Sequence, residues 1–146
     1  MMNTAERIEG NKGVVSRAIA EVVSEGNFDL LGELYAEEFV HHRGTSEDLI
    51  GSGAFRAWME QVHAGFPDFE ATEEFSLCED DLVASRVTYT GTHDGEFMAI
   101  PATGKHATVT GTTINRVEDG RIVERWPATA FLGLLRQVGA VDTPEH

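Results

Sequence analysis

A chain of 146 residues with 41% hydrophobic content is long enough for one domain with a real core and too short for two. Its net charge of −14, with Lys12 and Lys105 the only lysines, excludes nucleic acid and anionic membrane surfaces as partners, because both require basic surface. No apolar run approaches the roughly 20 residues of a membrane span, and MMNTAERIEGNKG lacks the apolar core of a secretory leader, so a cytoplasmic protein is expected.

The first helical pattern runs from about Asn11 to Glu25, where Val14, Val15, Ala18, Ile19, Val22 and Val23 make one apolar stripe. Gly26-Asn27 stops it. A shorter helix follows, with Phe28, Leu31, Leu34 and Tyr35 on one side. The segment FVHHRGTSEDLIG, Phe39 to Gly51, reads as irregular and polar. Ser52 is placed to cap a third helix carrying Phe55, Trp58, Met59, Val62 and Phe66, which Pro67 ends.

Beyond Pro67 the period changes from helical to alternating. Phe69, Ala71, Phe75 and Leu77 mark a half-buried strand, and Glu79-Asp80-Asp81 a turn. Leu82 to Thr92 and Ala107 to Val117 read as strands. Asp119-Gly120 signals a tight hairpin to a strand from Ile122 to Trp126. A last helix spans Phe131 to Val138 and ends at Gly139. Helices first and an antiparallel sheet afterwards define a single α+β domain over 1–146.

Cys78 is the single cysteine, so neither a disulfide nor a cysteine-only metal site is expected. Its acidic neighbours disfavour a thiolate, so it reads as a strand-end residue. His41 and His42 are adjacent, a poor spacing for binding one ion, and no H-E-x-x-H pattern occurs. The acidic, lysine-poor composition is that of an ordinary solubilising surface or of a protein adapted to a salt-rich cytoplasm.

The stretch GTHDGEFMAIPATGK, Gly91 to Lys105, together with EDGRIVERW (Glu118 to Trp126) and LGLLRQVGA (Leu132 to Ala140), resembles the SnoaL-like polyketide cyclase and ester cyclase family. EGNFDLLGELYAEEFVHH and GFPDFEAT extend the likeness over about Asn11 to Val141. The resemblance implies a fold like nuclear transport factor 2: a curved antiparallel sheet packed by N-terminal helices around a conical cavity. It further implies a homodimer through the sheet, a small apolar or polyketide-like ligand, and aldol-type acid/base chemistry without cofactor or metal. In that family a carboxylate shortly after the tryptophan, W-x-x-x-D, moves the proton. Here WPATAF puts Ala130 at that place. The alternative is therefore a small-molecule-binding protein that has lost the chemistry, and a third reading is a scaffold with a filled cavity.

Other groups become candidates for the missing acid. His93, matching the family's GTH histidine, can titrate near neutrality or can simply hold the following loop. Glu124, if buried, can serve as an acid with a raised pKa, or can pair with Arg86 or Arg116. Trp126 shares its strand face and is either a flat pocket wall or a core residue, with Trp58 or Phe55 expected nearby. His42 fits a pocket mouth or a surface loop. Arg116 shares parity with Thr108, Thr110, Thr112 and Ile114, and holds an anion only if that face turns inward. Ala130 itself is expected at the substrate-binding surface.

Overall fold

The computed structural model describes residues 2–43, 47–127 and 130–139. Helix α1 spans Thr4–Arg17, starting well before the apolar stripe. The reason is local. Asn3 accepts the Glu6 N–H at 2.8 Å and donates back to the Glu6 carboxylate at 2.8 Å, a reciprocal cap. The helix continues as a wider π-helical stretch, Ala18–Ser24, which buries Ala18, Ile19, Val22 and Val23. Gly26, at φ +73°, breaks it.

After a 3-10 turn at Phe28–Leu30 and a single turn of helix α2, Leu31–Leu34, the chain enters strand β1, Tyr35–His41. This corrects the irregular reading of that segment. β1 pairs with a distant partner, β6 (Arg121–Pro127), in parallel, with Val40 opposite Glu124 and His41 opposite Arg125. Its other edge takes the two-residue β2, Leu49–Ile50. Helix α3, Ser52–Gly65, buries Phe55, Met59 and Val62. Gly51, at φ +93°, occupies its cap position; Ser52 is the first helical residue and no side chain caps the end.

β3 (Glu70–Glu79), β4 (Leu82–Thr92) and β5 (His106–Glu118) form an antiparallel meander. β5 turns into β6 through Asp119 and Gly120, both at positive φ, the geometry a two-residue hairpin requires. The six strands lie in the order β2-β1-β6-β5-β4-β3. Along β5 the residues Ala107, Val109, Thr113, Asn115 and Val117 are buried, whereas Thr108, Thr110, Ile114 and Glu118 are exposed. The helices cover the first set, so the threonine face, with Arg116, is the outer one.

Helix α4, Ala130–Gln137, returns to β5. The Gln137 amide donates to the Thr108 carbonyl and accepts the Thr108 N–H, each at 2.8 Å, which covers a stretch of β5 that β6 does not reach. Phe39, Phe55 and Phe66 are fully buried at the centre of the core. No helix among the described residues is long and apolar enough to cross a membrane.

Candidate functional site

The most distinctive sequence stretch, Gly91 to Lys105, works as masonry. Gly91 lies under the Phe66 ring, where an added Cβ would come within 3.1 Å of it. The Gly95 N–H donates to the Gly65 carbonyl at 3.1 Å, joining the loop to the end of α3. His93 is 1% exposed, stacks on Phe66 at 5.2 Å, and its Nδ1 lies 3.1 Å from the Thr103 hydroxyl. Its backbone N–H and C=O bond Lys105 and Gly104. The loop so pinned carries Phe97 and Met98 to a cavity between the helices and the inner sheet face. Met98 and Ala99 both sit at positive φ, 52° and 63°, which costs non-glycine residues about 1 kcal/mol or more each.

That cavity measures about 140 Å³. Val23, Met59, Val62, Phe69, Val109 and Leu134 give it apolar walls, and Trp58 forms part of one side. Its polar members are His41, Arg43, Tyr89, Thr112, Thr113 and Arg125. Register explains the closest pair: His41 and Arg125 are direct neighbours across the parallel β1–β6 ladder, both facing inward. Arg125 is 9% exposed, and its guanidinium donates to the Tyr89 hydroxyl at 3.4 Å. Among the described residues no carboxylate lies within ion-pair distance of it.

His41 is buried, and its Nδ1 has no hydrogen-bond partner; the Thr113 hydroxyl is likewise buried and unpartnered. Burial, and then the positive charges of Arg125 and Arg43, push the His41 pKa down to about 2. The ring is therefore neutral at physiological pH. A buried cation without a counter-ion and two unsatisfied polar groups are costly in a ligand-free protein. Together they suit a ligand oxygen that carries, or acquires, negative charge.

A second polar cluster lies on the outer face. His42 bridges two carboxylates, Nε2 to Glu124 at 2.6 Å and Nδ1 to Asp48 at 3.0 Å. Arg116 contacts the same Glu124 at 3.5 Å and bonds Asp81 at 2.8 and 3.0 Å. Trp126 is stacked against His42 at 5.3 Å, with the Arg116 guanidinium 5.7 Å from its ring centre. The hydrogen bond to Glu124, followed by the bond and charge of Asp48, raises the His42 pKa.

The structure thus divides the sequence candidates. Trp58 lines the cavity. His42, Arg116, Glu124 and Trp126 come together, but on the opposite side of the sheet from it, because Trp126 pairs with outward-facing Ile114 and Arg116 with Glu124. His93 is packed behind the cavity wall, and Phe55 lies in the core beside Arg125, whose guanidinium is 6.0 Å from its ring. Ala130 opens α4, and its side chain lies outside the described residues. His41, Arg125, Tyr89 and Thr113 were not singled out from sequence. The available signal was phase: His41 follows Phe39 at the strand spacing, and Arg125 alternates with the Glu124–Trp126 face. Among the described residues, no group of three or more His, Cys, Asp or Glu is arranged to hold a metal ion.

A curved sheet closed by N-terminal helices over a partly polar cavity defines an α+β domain of the nuclear transport factor 2 type. The family follows from its sequence: a family model described as SnoaL-like polyketide cyclase matches residues 13–138, and the chain belongs to that family. Aklanonic acid methyl ester cyclase DauD of Streptomyces sp. (strain C5) is 27% identical over 135 residues, 88% of this chain and 83% of the relative. The crystal structure of a SnoaL-like protein from Jannaschia sp. CCS1 matches with a TM-score of 0.85 at 23% identity, covering 97% of this chain and 100% of that one. IdmH from Streptomyces antibioticus matches with a TM-score of 0.76 at 32% identity, covering 88% and 98%.

Proposed function

We propose that this chain is a cofactor-independent enzyme that forms or shifts carbon–carbon bonds in a small, largely apolar carbonyl compound held in the inner cavity. The observation that carries the reading is Arg125, a buried guanidinium without an ion-pair partner among the described residues, set in apolar walls beside a neutral histidine. Such a cation is placed to receive charge that develops on a carbonyl oxygen.

Removing a proton from the carbon beside a carbonyl moves the C–H electron pair towards oxygen. In this reading Arg125, with Thr113 and Tyr89 nearby, holds that oxygen, and His41 accepts the proton. A base with a pKa of about 2 is weak. Part of that depression comes from Arg125 and Arg43, and negative charge growing on the substrate offsets their fields. The imidazole becomes more basic as the transition state is approached. In an aldol closure the enolate carbon then bonds to a second carbonyl carbon, and the resulting alkoxide takes the proton back from His41. His93 and Glu124 are the competing proton carriers.

The test is proton exchange, which needs no knowledge of the natural substrate. Acetophenone in deuterated buffer is followed by proton NMR with and without protein. Catalysed loss of the methyl signal is expected, abolished in His41→Ala and Arg125→Met and kept in Glu124→Gln and His93→Asn. Loss in Glu124→Gln with His41→Ala unaffected would move the chemistry to the outer face. A second reading, a binding protein without turnover, rests on Ala130 standing where the family has its carboxylate; ligand binding with no exchange in any variant supports it.

We also propose that two copies pair through the outer sheet face. Phe75 and Leu77 are 60% and 68% exposed there, and Ile114 38%, an apolar surface on a chain otherwise dominated by charge.

A further inference from the structure

The proposed chemistry needs one cation, for the oxygen that gains charge, and Arg125 fills that role. The cavity has two. Arg43 also lines it, at the end where β1 has just finished. Its head is held in place: Nε donates to the Glu47 carbonyl at 2.9 Å, and the guanidinium lies 5.2 Å over the Trp58 ring. Its Nη nitrogens make no hydrogen bond or ion pair among the described residues. Arg43, Arg125 and His41 all line this one cavity.

The acids are equally informative by position. The chain holds 25 aspartates and glutamates, yet none is among the described lining residues. Two guanidiniums and no carboxylate among the described lining residues set the cavity apart from a molecule of net charge −14. Guanidinium is the group best suited to gripping a carboxylate through paired N–H donors.

We propose that the substrate is itself a carboxylate: an oxo-acid with its carboxylate on Arg43 and its reacting carbonyl at Arg125. This rests on the cavity reading above and narrows it to the free acid in preference to the ester. The relative DauD is named for a methyl ester, so the two proteins would differ in the group that identifies the substrate.

Benzoylformate is a suitable probe, since it has one ring, a ketone and a carboxylate, and carries no hydrogen on the carbon beside the ketone. Its methyl ester is the neutral control. Calorimetric titration of the wild-type protein should show the acid binding at least about tenfold tighter than the ester, the scale of a charge-assisted hydrogen bond. Arg43→Gln should remove that preference by weakening the acid alone, and Arg43→Lys should restore part of it. A structural role for Arg43 would change acid and ester together. Equal binding of acid and ester, or a preference that survives Arg43→Gln, overturns the carboxylate assignment and leaves the cavity reading standing. Failure of both compounds to bind overturns both.

Discussion

Arg125 and Trp126 are neighbours in the chain and stand on opposite sides of the sheet. The first reaches the Tyr89 hydroxyl inside the cavity, and the second stacks on His42 outside it. One strand therefore serves two surfaces. Its inner residues line the cavity, and its outer residues belong to an ion-pair network running from Asp48 through His42, Glu124 and Arg116 to Asp81.

The two adjacent histidines should respond to pH with opposite sign. The folded His41 has its pKa lowered to about 2, against an ordinary value of 6.5. Below about pH 6.5 the unfolded chain takes up a proton that the folded chain refuses, so stability falls as pH drops, by at most about 1.4 kcal/mol per pH unit from this group. The folded His42 has its pKa raised. Its contribution is full below its unfolded pKa and is lost as pH rises through the folded value. Thermal melts from about pH 8 to about pH 4 should show a flatter acid limb in His41→Phe than in wild type. In proton NMR, His42 should titrate above the ordinary histidine range and move back towards it in Glu124→Gln.

How much of this was legible in the sequence depends on the range of the interactions. β4 and the β5–β6 hairpin follow from alternation and the Asp119-Gly120 pair, which act over a few residues. β1 is not legible because its ladder partner, β6, comes much later in the sequence, and its own residues alternate only weakly. The Thr108-to-Arg116 parity was read correctly, but parity alone does not say which face is covered. The candidates His42, Glu124, Arg116 and Trp126 came out as one cluster, and the cavity was on the other face. The GTHDGEF motif marks the family, and its glycines serve the close approach of Phe66 and Gly65.

Ala130→Asp should raise activity. General acid–base assistance is typically worth about 100- to 10,000-fold. A carboxylate introduced at the family's position should speed acetophenone exchange well beyond wild type. An unchanged rate would mean that the start of α4 does not reach the reacting carbon.

If two copies pair through the outer face, Leu77→Glu should dissociate them. Leu77 is two-thirds exposed in the single chain, so the change should leave the melting midpoint of the monomer nearly intact. Sedimentation should show a dimer for wild type and a monomer for the variant. A wild-type monomer at high concentration would end the proposal.

Salt should stabilise the fold. A net charge of −14 on 146 residues repels itself, and screening weakens that repulsion. The melting midpoint in sodium chloride should climb from low to high concentration; a flat or falling midpoint would count against adaptation to a salt-rich cytoplasm.

The parallel seam between β1 and β6 has a consequence for how the protein is made. His41 leaves the ribosome long before Arg125, yet the ladder sets them side by side in the cavity wall. Every nascent chain therefore lacks this seam until β6 emerges, and until then the apolar stripes of α1 and α3 wait for a sheet that is missing its middle. Domains that depend on pairing distant segments fold late and expose sticky intermediates. Truncation before Arg121 should consequently yield an insoluble fragment, and the price of closing a pocket with strands so far apart in sequence is that neither half of the seam is of use alone.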